Sequence, residues 1–212
     1  MEEASVLKVL TKRDHLEPSY DEMLRGRARV FAGRLNWEVH VRDGKEFDYY
    51  DLQADPVYLV SLGLTKGVTG SLRLLPTTGA TMLKSEFSHM FREAVDIEGP
   101  AIWECTRLCV HPASEGGAYE PGLVALQLLS GLCDFALGSG VKHIVGVYEA
   151  AMERVYRRLG WPPKLLSLSH PQFGRIGCGL WEVSLEVGER LRHRLTERGS
   201  RCHDLQPVAA KS

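Results

Sequence analysis

The alternation of apolar and polar positions along the chain predicts strands and helices that follow one another. Short apolar runs bounded by Gly, Pro or polar residues are typical of strands, whereas apolar positions three and four apart are typical of helices. The predicted strands are 5–10, 57–65, 68–77, 101–110, 141–148 and 180–187. The predicted helices are 18–35, 84–92, 123–137, 149–159 and 188–198, and the predicted loops are 37–55 and 111–122.

The order of these elements indicates the fold class. A Lys-Gly turn between 57–65 and 68–77 predicts a hairpin, whereas helices between the later strands predict crossover connections. Hairpin and crossover units that share one sheet give a mixed sheet with helices on both faces. We therefore predict one α/β domain over 1–212, an N-acetyltransferase-like α/β/α sandwich with a mixed central sheet.

Composition argues against several classes of function. The 26 basic and 27 acidic residues give a formal charge of −1, so no basic excess indicates a nucleic-acid partner. No apolar run looks long enough to cross a bilayer, and the acidic start MEEASVLKVL is unlike a secretory signal. We therefore predict a cytoplasmic protein without a membrane partner. The five cysteines include no CxxC pair and the eight histidines no HExxH pattern, which predicts reduced thiols and no metal site.

Charged residues interrupt two otherwise apolar predicted strands. Arg73 lies within 68–77, and Glu104 and Arg107 lie within 101–110. Buried charges are unfavourable unless they are paired, so each needs a partner. Asp48 and Asp51 in the preceding loop are candidates. One interpretation is an ion-pair network that joins the loop to the sheet, and the other is a functional site.

The wider set of these residues resembles a known family. Arg27, Phe31, Trp37, Asp48, Asp51, Arg73, Glu104 and Arg107 match, in order and near spacing, the invariant set of the LuxI-type acyl-homoserine lactone synthases. The surrounding segments RVFAGRLNWEV, GKEFDYYD, GSLRLLPTTGATML and IWECTRLCV agree with it, and the resemblance covers roughly 20–165. Thr106 stands where the family often has Ser. The loop after Pro112 lacks the glycine spacing by which ordinary N-acetyltransferases bind a CoA pyrophosphate.

The resemblance implies S-adenosylmethionine and an acylated carrier protein or acyl-CoA as substrates, no cofactor, and a lactone and methylthioadenosine as products. It implies catalytic roles for Glu104, as the base, and for Arg107. Backbone N–H groups near 105–107 are candidates to hold the thioester oxyanion. The implied S-adenosylmethionine-binding residues are Arg27, Phe31, Trp37, Asp48, Asp51, Arg73 and Thr106. Two alternatives stay open: an acetyl-CoA-dependent N-acyltransferase of another amine, and a catalytically silent binding module.

Strand periodicity raises a geometric question about the two catalytic candidates. Glu104 and Arg107 are three residues apart, and such residues point to opposite faces of a regular strand. Both reach one polar cluster if a β-bulge near 105–107 re-aims Arg107, or if Arg107 passes under the loop 37–55.

Three further expectations concern substrates. The acyl chain is expected between the sheet and the helix at 121–138, lined in part by 141–152. Residues 20–55 are expected to be mobile without substrate and to order over S-adenosylmethionine. A basic cluster is expected to attract an acidic carrier protein. Its members are Arg154, Arg157, Arg158 and Lys164.

Overall fold

A computed structural model describes residues 6–63, 67–112 and 120–204, with side chains through residue 199. Seven strands form one mixed sheet in the order β1-β4-β5-β6-β7-β9-β8, and β2 and β3 form a separate small hairpin. The strands of the large sheet are β1 (Val6–Thr11), β4 (Val57–Leu62), β5 (Val68–Pro76), β6 (Ile102–Val110), β7 (His143–Glu149), β8 (Lys164–Leu168) and β9 (Ile176–Glu182). The hairpin strands are β2 (Val41–Arg42) and β3 (Lys45–Glu46).

Helices cover both faces of the large sheet, as the element order predicts. The helices are α1 (Pro18–Ala28), α2 (Tyr49–Gln53), α3 (Met82–Ser85), α4 (Pro121–Gly138), α5 (Glu153–Leu159) and α6 (Leu185–Asp204). Helix α1 continues as a π-helical segment, Arg29–Arg34, and short 3-10 segments are Lys12–Asp14, Ser88–Met90, Ala150–Met152 and Pro171–Phe173. Helices α4, α5 and α6 share the largest apolar core, whereas α1 and α3 pack in separate small clusters. The predicted fold class is confirmed.

Several predicted boundaries are wrong, and each has a local reason. The loop predicted at 37–55 contains the β2–β3 hairpin, whose turn is an Asp43-Gly44 pair with both residues at positive φ, and helix α2. The helix predicted at 84–92 is a single α-helical turn followed by a 3-10 turn. Strand β8 was not predicted, because its sequence KLLSL is short and lies on the edge of the sheet. Residues 113–119 of the predicted loop 111–122 lie outside the described residues.

The expected β-bulge is present in β6. The register between β5 and β6 passes from Ser71↔Cys109 to Arg73↔Thr106, so one residue of β5 faces two residues of β6. The extra residue is Arg107, whose φ of 55° is in the left-handed region. The bulge turns the Arg107 side chain to the face of the sheet that carries Arg73 and Glu104. Regular strand alternation therefore fails at this point, as anticipated.

Strands β6 and β7 are parallel but pair for only three residues. The pairing runs from Ile102↔His143 to Glu104↔Val145, although both strands continue beyond it. Backbone pairing between the two strands therefore ends at Glu104 and Val145. The bulge at Arg107 lies three residues further along β6.

Helix α4 is the one helix in the described residues that is long and apolar enough, by length and composition, to cross a membrane. The prediction that no apolar run is long enough to cross a bilayer was therefore wrong by the criteria of length and composition. Eight of its side chains are buried within the protein. Its packing against the sheet and α6 is that of a core helix. Length and composition alone are weak evidence for a span, because a core helix meets the same test.

Candidate active site

Three arginines and three carboxylates form a network of ion pairs on the α1–α3 face of the sheet. The arginines come from α1, β5 and β6, and the carboxylates come from β3 and from the start of α2. The members are Arg27, Arg73, Arg107, Glu46, Asp48 and Asp51. The three positive charges of the arginines equal the three negative charges of the carboxylates. The network can therefore be largely buried, because each charge is paired.

Arg27 anchors α1 to the hairpin and to α2. Its Nε donates to Glu46 Oε2 at 2.6 Å, and its two Nη atoms donate to the two Asp51 oxygens at 3.0 and 2.8 Å. All three side chains are buried. Burial alone would raise the pKa of Asp51, but the Arg27 and Arg73 guanidinium groups outweigh it and hold that pKa well below its ordinary value. Both partners of this fork therefore stay charged.

Arg73 and Arg107 meet at Asp48. Arg73 donates to the two Asp48 oxygens at 2.6 and 2.9 Å, and its Nε donates to Thr106 Oγ1 at 3.0 Å. Arg107 donates to Asp48 Oδ2 at 2.9 Å and to Glu46 Oε1 at 3.1 Å. Arg107 makes both contacts with its backbone in the left-handed conformation of the bulge, so the bulge positions the third arginine of the network.

Asp48 and Asp51 also begin helix α2. Asp48 is the N-cap and accepts from the backbone N–H groups of Tyr50 and Asp51, while Asp51 accepts from the backbone N–H of Asp48. This reciprocal capping box holds both carboxylates through backbone hydrogen bonds that do not involve the arginines. The capping box and the ion pairs therefore orient the same oxygen atoms.

Solvent reaches only one side of the network. The Asp48 side chain is 18% exposed and that of Arg107 is 10% exposed, whereas the other four are almost completely buried. Trp37, 47% exposed, stacks on the buried Phe31 ring with centroids 5.2 Å apart. The Arg107 guanidinium lies over the Phe31 ring, 5.4 Å from its centroid. An acid, an arginine and a pair of aromatic rings thus form one partly open surface.

Glu104 is completely buried beside this network. Its two carboxylate oxygens accept from the backbone N–H groups of Met82 and Leu83 at 2.8 and 2.7 Å, at the start of α3. Burial raises the pKa of Glu104 to about 7, against the lowering effect of these hydrogen bonds and of Arg73. Met82 Sδ in turn lies 3.3 Å from Arg73 Nη2 and 3.4 Å from Arg107 Nη1. A carboxyl with such a pKa exchanges a proton near neutral pH.

All nine residues singled out from the sequence lie in this one region. Contacts join them directly, except for Glu104, which is linked to the arginines through Met82. Trp37 is too exposed to be the core aromatic of the purely structural interpretation. The ion pairs agree with the interpretation that a charged network joins the segment 37–55 to the sheet. The network therefore stabilises the fold and also forms part of the candidate site.

Sequence reasoning missed four residues of the site. Glu46 lies two positions before Asp48, and alternation in an extended segment was the signal that could have found it. Tyr58 donates to Asp51 Oδ1 at 2.8 Å, and the Tyr50 ring lies 5.4 Å from the Arg73 guanidinium. Met82 carried no signal in the sequence.

Thiol and metal chemistry receive no support from the described residues. Burial raises the pKa of Cys105 to about 12 and that of Cys109 to about 11, so neither is a ready thiolate nucleophile. Across 6–63, 67–112 and 120–204, no group of three or more His, Cys, Asp or Glu side chains is arranged to hold a metal ion.

A groove of about 430 Å³ lies between α4 and the β1–β4 end of the sheet. Its walls come from β1, β4, α4 and α6, with Leu7, Val9, Phe135 and Leu195 among the lining residues. None of its lining residues belongs to 141–152. This groove therefore agrees with the expected acyl pocket in lying between the sheet and α4, but not in its lining.

Comparison with solved structures first defines the class of protein. The chain has an N-acyltransferase-like fold, shared with Escherichia coli ElaA (TM-score 0.55, 16% identity, covering 84% of this chain and 100% of that one). The similarity is greater to a CoA-dependent acyl-homoserine lactone synthase, BjaI, solved with SAM and isopentyl-CoA (TM-score 0.79, 23% identity, 91% and 90% covered). It is similar to the AHL synthase LasI as well (TM-score 0.74, 25% identity, 90% and 96% covered).

Sequence comparison then gives the family. The family model for autoinducer synthases matches residues 11–175. An acyl-homoserine-lactone synthase of Rhizobium etli is 52% identical over 194 residues, which cover 90% of this chain and 91% of that protein. One of Agrobacterium fabrum is 35% identical over 147 residues, 68% and 69% of the two chains. The chain belongs to the autoinducer synthase family, an acyltransferase family, and the resemblance drawn from the sequence is confirmed.

Proposed function

We propose that this protein is an acyl-homoserine-lactone synthase that produces a quorum-sensing signal. It transfers an acyl group from a thioester to the amine of S-adenosylmethionine and then closes the lactone. The observation that carries the proposal is the partly open surface of Asp48, Arg107, Phe31 and Trp37 on a closed ion-pair network. One small molecule that carries an ammonium, a sulfonium, a carboxylate and an adenine matches all of these groups.

S-adenosylmethionine binding is assigned to the exposed members of the set. Asp48 attracts the positive groups, and Arg107 can grip the carboxylate because its guanidinium is a planar fork. The Phe31–Trp37 stack offers an aromatic face to the adenosyl and sulfonium groups. The ion pairs hold the charged atoms of Asp48 and Arg107, so the ordering expected over 20–55 on binding concerns the surrounding backbone.

The buried members are positioning residues in this proposal. Arg27 and Asp51 have their charged atoms paired with each other, and Arg73 fixes Asp48 and Thr106. Their role is to hold the two exposed charges at a set distance. Substrate then meets a preorganised site rather than a solvated one.

Glu104 is the proposed base for the first step. It accepts a proton from the substrate ammonium, directly or through water, and the free amine attacks the thioester carbon. The resulting oxyanion is held by backbone N–H groups near 105–107, where β6 has left its pairing with β7. The tetrahedral species collapses and the C–S bond breaks. The nitrogen gives its second proton to the departing sulfur, so a thiol leaves and the neutral amide is formed.

The second step is intramolecular. A carboxylate oxygen of the acylated S-adenosylmethionine attacks its own γ-carbon, the bond from that carbon to sulfur breaks, and methylthioadenosine leaves with the electron pair. No proton transfer is required. Holding the chain of the substrate in a folded, near-attack shape is sufficient, because the reaction closes a five-membered ring.

The acyl donor is an acylated carrier protein or an acyl-CoA. Arg154, Arg157, Arg158 and Lys164 are exposed on α5 and just after it, as expected. Among them, Arg157 pairs with Glu153 at 2.6 Å, which leaves the other three to form the proposed docking face. Both substrates are cytoplasmic metabolites, so we place the enzyme in the cytoplasm, acting as one domain without a cofactor.

Mass spectrometry of organic extracts tests the proposal. Cells that express this protein are expected to release an acyl-homoserine lactone, and cells that express Asp48→Asn are expected to release far less. A third culture that expresses Glu93→Gln, on the exposed segment after α3, controls for expression and handling. Acylation of another amine without any lactone would point instead to an ordinary N-acyltransferase.

A further inference from the structure

Two buried side-chain atoms have no hydrogen-bond partner within the described part of the chain: His111 Nδ1 and Tyr148 Oη. Buried polar groups are normally paired, so each exception needs an explanation. The Tyr148 ring fills the space over two glycines of β9, Gly177 and Gly179. His111 directly follows β6, and its ring lies against α1, the helix that carries Arg27. Of the two residues, His111 is therefore the one that touches an element of the candidate site.

The His111 ring occupies the space that a side chain at Gly26 would need. A Cβ built at Gly26 would lie 2.5 Å from Cγ of the ring and closer still to Nδ1 and Cε1, nearer than real Cβ atoms approach other atoms. Gly26 is inside α1, where glycine is unfavourable compared with alanine. The close approach of the ring accounts for a glycine at this position. Helix α1 and the imidazole are thus in direct contact, with no side chain between them.

The ring is fixed to β5 on its other side. Its Nε2 lies 3.0 Å from Ser71 Oγ, and the His111 backbone N–H donates to the Thr69 carbonyl at 2.9 Å. Ser71 is two positions before Arg73 on β5, so its side chain is on the same face of the sheet as that arginine. Burial, reinforced by the neighbouring Arg29, lowers the pKa of His111 to about 3, so the ring stays neutral. His111 is therefore a rigid, uncharged contact between β5 and α1.

The contact lies next to the buried end of the ion-pair network. Gly26 directly precedes Arg27, so the distance of α1 from the sheet at Gly26 also sets the position of Arg27. The Arg27 guanidinium donates to Glu46 at 2.6 Å and to the two Asp51 oxygens at 3.0 and 2.8 Å. Hydrogen bonds of this kind are weakened when the donor moves away by a few tenths of an ångström. The seat of α1 on His111 and the geometry of this fork are therefore linked.

Both exposed charges of the site depend on the acids that this fork holds. Glu46 also accepts from Arg107 at 3.1 Å, and Asp51 accepts from the backbone N–H of Asp48 at 2.9 Å. Phe31, which carries the aromatic stack, lies in the π-helical segment that continues α1. A displacement of α1 therefore shifts the exposed acid, the exposed arginine and the aromatic face together.

We propose that His111 is a positioning residue for S-adenosylmethionine binding, because its ring sets the distance between α1 and the sheet. The inference rests on the proposed function, since it takes the partly open surface beside the network as the S-adenosylmethionine site. Removal of the ring leaves a space beside Gly26, and α1 can move into it together with Arg27. The exposed charges then lose their fixed separation, and S-adenosylmethionine binds more weakly.

His111→Ala tests the proposal in two assays: isothermal titration of S-adenosylmethionine without an acyl donor, and steady-state formation of lactone. The Kd for S-adenosylmethionine is expected to rise about tenfold, because small misplacements of binding groups have effects of this size or larger. The kcat at saturating substrates is expected to stay within about twofold of wild type, since Glu104 is held by α3 and not by α1. Ser71→Ala keeps the ring and removes only its hydrogen bond, so its Kd should rise about threefold.

Two controls separate positioning from general stability. Leu191, completely buried in the core that α4 and α6 share, lies outside the candidate site. Leu191→Ala should lower the thermal midpoint at least as much as His111→Ala and leave the Kd unchanged. A double-mutant cycle tests the contact itself: Gly26→Ala should raise the Kd when the ring is present, and should not raise it further in the His111→Ala background.

A Kd within about twofold of wild type for both His111→Ala and Ser71→Ala overturns the inference. Equal weakening by Leu191→Ala overturns it as well, and so does a loss in kcat with the Kd unchanged. If His111→Ala does not fold, Ser71→Ala decides the question. These results leave the proposed function intact, because wild type still binds S-adenosylmethionine and makes lactone. Wild type that binds no S-adenosylmethionine would overturn the proposed function, and the inference with it.

Discussion

Replacing Glu104 with Gln tests whether this carboxyl is held near neutrality by burial. The substitution keeps the shape of the side chain and removes its titration. One oxygen remains to accept from Met82 or Leu83, and the other backbone N–H loses its acceptor. That loss destabilises the variant at every pH. The informative quantity is therefore the pH dependence of the difference in free energy of unfolding between wild type and Glu104→Gln.

The magnitude follows from the two pKa values of Glu104. Its pKa is about 7 in the folded protein, against an ordinary value of 4.5. Between these values the folded state keeps a proton that the unfolded state has lost, so wild-type stability falls as the pH rises. The free energy of unfolding should decrease by about 3 kcal/mol across this interval through Glu104 alone, at about 1.4 kcal/mol per pKa unit. Glu104→Gln lacks this decrease.

Urea unfolding at a series of pH values, from about 5 to about 8, measures the effect for wild type and the variant. As the pH rises, the free energy of unfolding of Glu104→Gln should increase relative to that of wild type by most of the expected change of about 3 kcal/mol. Glu93→Gln, at an exposed position, should show no such trend. A difference between wild type and Glu104→Gln that stays constant with pH would refute the reasoning, since the carboxyl would then titrate at an ordinary value.

Three further predictions concern binding and motion. Arg107→Lys keeps the charge but cannot contact Glu46 and Asp48 together, so KM for S-adenosylmethionine should rise about tenfold in steady-state assays while the thermal midpoint moves little; an unchanged KM would remove Arg107 from the binding site. If a carrier protein is the donor, changing Arg154 and Arg158 to Glu should raise its KM and weaken the salt dependence of the rate, whereas an unmoved KM would mean acyl-CoA or docking elsewhere. Hydrogen exchange over 20–55 should slow when S-adenosylmethionine binds, and equal protection with and without it would contradict ordering on binding.

The fold was predictable from the sequence where periodicity is strong. The apolar runs of β6 and β7 and the Leu-rich helix α4 identify the central sheet and one helical layer of the sandwich, and β4 and β5 pair antiparallel, as the predicted hairpin requires. Element ends were less accurate. Helix α3 and the hairpin β2–β3 are held by tertiary contacts, among them the Glu104 carboxylate on α3 and Arg27 on Glu46, which no local pattern reveals.

The site was predictable in membership but not in detail. Charges within apolar strands identified Arg73, Glu104 and Arg107, because such residues need partners. The same reasoning did not find Glu46, whose burial depends on three segments meeting. It also did not divide the set into buried supports and exposed contacts, since that division depends on which side of the network solvent reaches. The bulge was anticipated because regular alternation and a single polar cluster cannot both hold.

The central claim is that one site acylates S-adenosylmethionine and then expels methylthioadenosine from the same molecule. Purified protein with S-adenosylmethionine and an acyl thioester, followed by quantitative mass spectrometry, tests it most directly. The account predicts lactone and methylthioadenosine in equal amounts, with both nearly abolished by Glu104→Gln while S-adenosylmethionine binding is largely kept. Acylated product without methylthioadenosine, or near wild-type turnover by Glu104→Gln, would contradict it.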